Sequence, residues 1–115
     1  MKPEGHLNRA RGIQRSLERL LPDPEGKHVA AIVELCYGIA QQLIAYGAET
    51  KYGVHKETHI NVPRLLREHG APEIAELFEE LDRLRAGRWY GSKGNGEVVR
   101  QCLEKVAEIE GWATR

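Results

Sequence analysis

The residues best suited to bind a ligand lie in and beside the segment RWYGSKGNG, residues 88–96. Guanidinium groups pair with phosphates and aromatic rings stack on bases, so the two side-chain types together suit a nucleotide or unstacked RNA. Three glycines break the helical pattern and predict a loop. The candidate ligand-binding residues are Arg85, Arg88, Trp89, Tyr90 and Lys93, with His59 from an earlier segment.

A plainer interpretation of this segment stays open. Basic side chains are common at the C-terminal end of a helix, where they favour its dipole. Trp89 and Tyr90 could equally pack in the core or at a dimer interface. Arg64, Arg67 and His69 would extend a basic patch if the chain folds back beside residues 83–93.

The sequence predicts no metal, no cofactor and no identifiable nucleophile. His55 and His59 are four residues apart, which places two ligands on one helical face. A zinc site takes at least three protein ligands, and no neighbouring Asp or Cys completes a set. GSKGNG, residues 91–96, follows a helix instead of a strand, so it differs from a phosphate-binding loop. The acidic residues Glu79, Glu80 and Asp82 are interpreted as a solvated helix face.

The rest of the chain is organised around residues 72–91, an amphipathic helix that ends in the Arg/aromatic/Gly turn of the candidate loop. Pro72 suits the first helical position, because the N–H that it lacks would be unpaired there. Apolar residues recur at three- and four-residue steps and predict one buried stripe. They are Ile74, Leu77, Phe78, Leu81 and Leu84.

The same spacing predicts helices over residues 6–21, from about 24 to 48, and over 96–112 with Asn95 as its N-cap. A short helix is expected to begin at Thr58 or Asn61, with Pro63 in its first turn and Leu65 and Leu66 in the core. Gly38 is expected at a close helix crossing. No segment has the two-residue alternation of a strand. The fold class is therefore all-α, an antiparallel four-to-five-helix up-and-down bundle forming a single domain over residues 1–115.

Composition gives expectations about nucleic-acid affinity, the state of the cysteines and the cellular location of the protein. Seventeen basic and seventeen acidic side chains balance to zero, so the overall charge gives no reason to expect strong nonspecific nucleic-acid affinity. Cys36 and Cys102 lie in apolar helical patterns and read as reduced core residues. We expect a cytoplasmic protein without membrane contact. The wide apolar circumference of the second helix favours a central position or a homodimer.

Beyond these patterns, the segment from His59 to Trp112 resembles a HEPN domain, a small helical module of prokaryotes. THINVPRLLREHG, residues 58–70, resembles the start of the third helical region of that family. RWYG, residues 88–91, resembles its Arg-Tyr terminator, and EVVRQCLEKVAEIEGWA, residues 97–113, resembles its closing helix. The resemblance implies a dimeric bundle, either a metal-independent RNase or a non-catalytic partner of a minimal nucleotidyltransferase in a toxin–antitoxin pair.

The sequence departs from the RNase pattern of that family at one point. Relatives that cleave RNA use an Arg followed a few residues later by a His, and residues 89–95 after Arg88 contain no His. Arg64 and His69 have the raw spacing at a different place in the chain. We therefore favour a non-catalytic dimeric module that binds a nucleotide or a nucleotidyltransferase. The alternatives are an RNase that uses Arg64 and His69, and a structural interaction subunit without a small ligand.

Overall fold

Five α-helices account for most of the chain that the structure describes. The computed structural model describes residues 2–54, 61–87 and 95–115, with residue 95 described by its backbone alone, and these ranges contain no strand. In chain order the helices are α1 (Pro3–Glu18), α2 (Val29–Tyr52), α3 (Val62–Glu68), α4 (Pro72–Ala86) and α5 (Asn95–Ala113). The predicted all-α fold class is confirmed.

Helix α2 lies at the centre of the bundle, with α1, α4 and α5 packed against it. His6 of α1 contacts Gln42, with 2.8 Å between Nδ1 and Oε1, while Ile13 lies close to Gly38. A later residue of α1 therefore contacts an earlier residue of α2, so these two helices are antiparallel. The central position explains why α2 is apolar around so much of its circumference.

Helix α5 runs in the same direction as α2, and α4 runs in the opposite direction. Cys102 lies close to Cys36, and Trp112 lies beside Gly47. Arg85, near the end of α4, reaches Glu34, near the start of α2. The four long helices thus alternate in direction along the chain, as an up-and-down bundle requires.

One cluster of buried apolar side chains draws on all five helices. Ile32, Ile39, Leu43, Leu66, Leu81 and Ile109 are among its fully buried members. By length and composition alone α2 could cross a membrane, but half of its most apolar stretch of 18 residues is buried inside the bundle. The central helix of a helical bundle has the same composition.

The two N-terminal helices begin and end at other residues than the spacing predicts. Helix α1 covers Pro3–Glu18 instead of 6–21, because Pro3 already suits its first turn. Helix α2 begins at Val29 instead of near residue 24. The Asp23 carboxylate accepts hydrogen bonds from the backbone N–H groups of Lys27 and His28, at 3.0 and 2.9 Å, and holds this segment as a turn.

The C-terminal end of α2 also extends beyond the prediction, to Tyr52 instead of residue 48. It ends where Gly53 adopts a left-handed backbone, with φ of 67°, a conformation that glycine adopts without a steric penalty. Four more residues of α2 therefore reach toward α5 and α3.

The short helix α3 follows the prediction in its buried residues but not in its cap. Pro63 lies in the first turn, and Leu65 and Leu66 are buried. Asn61 precedes the helix in a left-handed conformation, with φ of 64°, and its side chain makes no capping hydrogen bond. Asn95 is the first residue of α5, where the sequence predicts the residue before the helix; this difference of one position is within the usual spread of helix ends.

A neighbouring helix leaves no room for a side chain at Gly47, whereas it does at Gly38. A Cβ atom at Gly38 would lie 3.5 Å from Ile13 Cδ1, an ordinary van der Waals distance. A Cβ atom at Gly47 would lie only 2.5 Å from Trp112 Cζ3 and 3.2 Å from the Ala113 Cα. Gly47 is therefore the position where the absence of a side chain lets α5 approach α2.

Candidate functional site

Of the six predicted ligand-binding residues, Arg85 lies in the described part of the chain. The other five lie outside the described residues: His59, Arg88, Trp89, Tyr90 and Lys93. The geometry of Arg85 and of the neighbouring α3–α4 surface is therefore what the structure contributes to this site.

Arg85 is held on the side of α4 that faces α2. Its guanidinium carbon lies 4.1 Å from the centre of the Tyr37 ring, a cation–π contact. Its two terminal nitrogens lie 3.8 Å from Glu34 Oε2 and 3.5 Å from Asp82 Oδ1. Two carboxylates thus offset much of its charge. Arg85 anchors the last turn of α4 directly before residue 88.

Tyr37 provides the buried surface on which Arg85 rests. Its ring also stacks on Phe78, with 5.1 Å between ring centres. Burial raises the pKa of the Tyr37 phenol, the negative charge of Asp82 raises it further, and Arg85 opposes the shift. The phenol therefore stays protonated throughout the neutral range. From the sequence Tyr37 is an extra apolar residue of α2, and its contact with Arg85 depends on the packing of α4 against α2.

A solvent-open groove of about 600 Å³ lies between α3 and α4. It is lined by Asn61, Pro63, Arg64, Arg67, Glu68 and Glu79. The volume falls within the range of about 300 to 1,000 Å³ that is usual for small-molecule sites. Asn61, the first residue that lines the groove, comes two residues after His59 in the sequence.

The charged side chains of this groove, which we call the α3–α4 groove, form two ion pairs. Arg67 donates from both terminal nitrogens to the two Glu79 oxygens, at 3.1 and 2.6 Å. Hydrogen bonding from Arg67 lowers the pKa of the Glu79 carboxyl. Arg64 donates from Nε to Glu68 Oε1 at 3.0 Å. Glu79, interpreted from the sequence as part of a solvated helix face, is 36% exposed and also pairs with Arg67, because α3 folds back onto α4.

The two arginines differ in what they offer to a ligand. The bidentate contact with Glu79 orients Arg67, because a planar guanidinium matches a carboxylate edge to edge. Arg64 is 78% exposed and uses Nε alone toward Glu68, so its terminal nitrogens have no partner among the described residues. An anionic group entering the groove would therefore meet Arg64 first.

The structure does not bring His69 into the groove with Arg64. The His69 ring stacks on Tyr52, with 4.5 Å between ring centres and 12° between planes. The His69 side chain is exposed and is not packed in the core. An RNase that used this pair would need both side chains at one cleft, and the described geometry places only Arg64 there.

No group of three or more His, Cys, Asp or Glu side chains that could hold a metal occurs within residues 2–54, 61–87 and 95–115. The predicted His55 and His59 pair lies outside these ranges. Cys36 and Cys102 are both free and buried. Their reduced state agrees with the prediction made from their apolar surroundings.

Comparison with protein-family models, with curated proteins and with solved structures finds no match to this chain. Its function is therefore inferred from its own residues.

Proposed function

We propose that this protein is a non-catalytic, dimeric binding module of HEPN type. It recognises a nucleotide, or a nucleotidyltransferase partner, through residues 85–93 and through the α3–α4 groove, and acts in the cytoplasm without membrane contact. The observation that carries the proposal is the α3–α4 groove itself. It combines a suitable volume with an exposed arginine that has unused donors.

Three features support a binding role over a catalytic one. Arg67 is oriented by Glu79 and Arg85 by Tyr37 and two carboxylates, so the arginines are positioned side chains of the kind that recognise anions. Arg64 presents its terminal nitrogens at the groove. His69, the acid–base group of the RNase alternative, stacks on Tyr52 instead. A general acid must reach the reacting oxygen directly or through one water.

The proposal is tested by thermal unfolding with a panel of mononucleotides, combined with light scattering. A ligand that binds only the folded state at about 100 times its dissociation constant stabilises it by about 2.7 kcal/mol. We expect one class of nucleotide to raise the melting temperature of a dimer. Arg64→Gln and Arg88→Gln should each reduce this shift.

Arg100→Gln is the matched control, because it removes the same charge from an exposed side chain on α5. It should leave the ligand-induced shift unchanged. A shift that is equal in all variants would place the ligand elsewhere. The absence of any shift, together with an intact dimer, would support the structural-subunit alternative. Cleavage of a short RNA that is lost in His69→Ala would support the RNase alternative.

A further inference from the structure

Most basic side chains on and directly beside α1 lack a carboxylate partner, whereas most of those elsewhere in the described chain have one. Most described cations outside α1 form ion pairs, as Lys27, Arg64, Arg67, Arg85, Arg100 and Lys105 do. On α1 and its two flanking residues, Arg11 pairs with Glu110. Lys2, Arg9, Arg15 and Arg19 form no ion pair within the described parts of the chain.

These four residues are spread over the broad solvent-facing side of α1 and its two flanking positions, which we call the α1 basic face. Asn8, Gly12, Arg15 and Arg19 follow one another at three- and four-residue steps, and Gly5, Arg9, Gly12 and Ser16 form the adjacent row. Lys2, Arg9, Arg15 and Arg19 are all exposed. The two carboxylates of α1, Glu4 and Glu18, fall on the side of the helix that carries Arg11. Both carboxylates therefore lie at the edge of this face next to Arg15, which is three residues from Glu18, and the face is positive in net charge but bordered by acidic groups.

Small residues keep this face open between the cations. Gly5, Gly12 and Ser16 add no bulk, and a Cβ atom at Gly12 would meet only Arg15 Nη2, at 3.7 Å. From Lys2 to Arg19 the face extends over about 25 Å, at about 1.5 Å per residue. A regular, extended anion can therefore lie along it and contact several cations at once.

The overall charge is neutral, but positive and negative side chains are concentrated on different helices. Residues 2–21 carry five basic and two acidic side chains, whereas α4 carries five acidic and two basic ones. Positive potential is thus concentrated on one side of the bundle. Exposed like charges repel one another, so an unpaired row of arginines is a cost to the free protein that an anionic partner would remove.

We propose that the α1 basic face binds the phosphodiester backbone of a nucleic acid, without regard to base sequence. Three of the four cations are arginines, whose planar donors match phosphate oxygens. Backbone phosphates provide a long row of anions, as the dimensions of the face require. This site is separate from the α3–α4 groove and does not depend on the proposed function.

An anionic membrane fits the α1 basic face less well. A helix that lies in a membrane surface inserts large apolar side chains into the lipid. On α1 the apolar side chains turn toward α2 instead, with Ala10 and Leu17 buried in the core. The residues around the cations are Gly, Ser and Asn, which give a lipid phase nothing to bury.

The experiment measures fluorescence anisotropy of a labelled DNA duplex, and separately of an RNA hairpin, at several salt concentrations. The test variant is Arg9→Gln, Arg15→Gln and Arg19→Gln combined; glutamine keeps the helix propensity close to that of arginine. Four phosphate contacts predict a slope of log K against log salt of roughly −3 to −4. On duplex DNA, the magnitude of this slope should be smaller in the triple variant, by about 0.9 for each arginine replaced.

The matched control replaces three cations on other surfaces, Lys27→Gln, Arg100→Gln and Arg115→Gln, and should keep the wild-type slope. Circular dichroism confirms that each variant is folded. If the triple variant does not fold, Arg19→Gln alone provides the test. It should reduce the magnitude of the slope by about 0.9. Preference for DNA or for RNA identifies the natural source of the backbone.

Three results would overturn the proposal. One is the absence of binding at low salt, and another is an equal loss of affinity in the test and control triples. The third is binding to phosphatidylserine vesicles without binding to either nucleic acid. The mononucleotide-induced melting shift of the groove should be the same in the α1 triple variant as in wild type, so each of the two sites can fail independently of the other.

Discussion

At the scale of single residues, Tyr37 joins the core to the candidate site. Its side chain is almost fully buried, yet its ring contacts both Phe78 and the guanidinium of Arg85. The pKa of its phenol is raised by burial first and by Asp82 next, and Arg85 partly offsets both. Its titration therefore reports on the position of Arg85.

We expect Arg85→Gln to raise the pKa of Tyr37 further, because it removes the one nearby positive charge that lowers it. Asp82→Asn should lower the pKa, because it removes a negative charge. Ultraviolet titration of the phenols measures both changes, with Tyr37→Phe identifying the signal among the four tyrosines. Shifts in the same direction in both variants would contradict the contact geometry.

The raised pKa of Tyr37 predicts how the stability of the fold changes at alkaline pH. The folded state holds the Tyr37 proton more tightly than the unfolded state, whose phenol has the ordinary pKa of about 10. The contribution is fully present below pH 10 and is lost as pH rises through the raised folded-state value. Denaturant unfolding between pH 9 and about 11.5 should therefore show a smaller alkaline loss of stability in Tyr37→Phe than in wild type.

At the scale of helices, two glycines of α2 have opposite roles. Gly38 faces α1 with room for a methyl group, whereas Gly47 lies against the Trp112 ring and the backbone of Ala113. Trp112 is itself buried, so it has little freedom to move away. The register between the parallel helices α2 and α5 depends on this contact.

We expect Gly47→Ala to destabilise the fold by about 1 to 3 kcal/mol, the usual cost of an overpacked core. Gly38→Ala is the matched control. It should be neutral or should stabilise by up to about 1 kcal/mol, because alanine has the higher helix propensity. Denaturant unfolding measures both changes.

A double-mutant cycle assigns the cost at Gly47 to its neighbour. Trp112→Leu should destabilise alone but should reduce the additional cost of Gly47→Ala, because the clashing ring atoms are gone. Additive effects of the two substitutions would show that the clash with Trp112 is not the cause.

At the scale of the whole molecule, the thiols of Cys36 and Cys102 mark the centre of the bundle. Both are fully buried, on α2 and α5. The hydrogen bond with Cys102 and burial together raise the pKa of the Cys36 thiol. A thiolate is the reactive form, so the raised pKa makes Cys36 less reactive. Burial keeps both thiols from a reagent in the folded state.

We expect neither thiol to react with an aromatic disulfide reagent until the bundle opens. The labelling rate should follow the rate or equilibrium of global unfolding as denaturant is raised. A Ser16→Cys variant, with a thiol on the exposed side of α1, is the positive control and should react at once. Rapid labelling of the native thiols in wild type would show that α2 and α5 separate without unfolding.

Features that depend on one segment were predictable from the sequence. The five helices, the stripe of α4, the first-turn prolines of α3 and α4, and the burial of Leu65 and Leu66 all follow from local spacing. Helix ends were less predictable. Asp23 and Gly53 set the limits of α2 through backbone hydrogen bonds and a left-handed residue, which apolar periodicity does not report.

The candidate site was predictable as a set of residues, but its pairing was not. Arg64 and Arg67 belong to a basic run in the sequence, yet the packing of α3 on α4 pairs Arg67 with Glu79. His69 of the same run stacks on the ring of Tyr52 instead. The sequence also shows a neutral overall charge, whereas the fold pairs half of the described Lys and Arg side chains and leaves Arg9 and Arg15 of α1 exposed and without ion pairs.

By itself the sequence determined the all-α fold class, the approximate helices and the burial of the two cysteines, because each follows from residue types at short spacing. Only the tertiary structure decided which helices pack on α2, that Gly47 and not Gly38 lacks room for a side chain, and which arginines have carboxylate partners. These features depend on which residues distant in the chain meet, and that is set by the packing of whole helices.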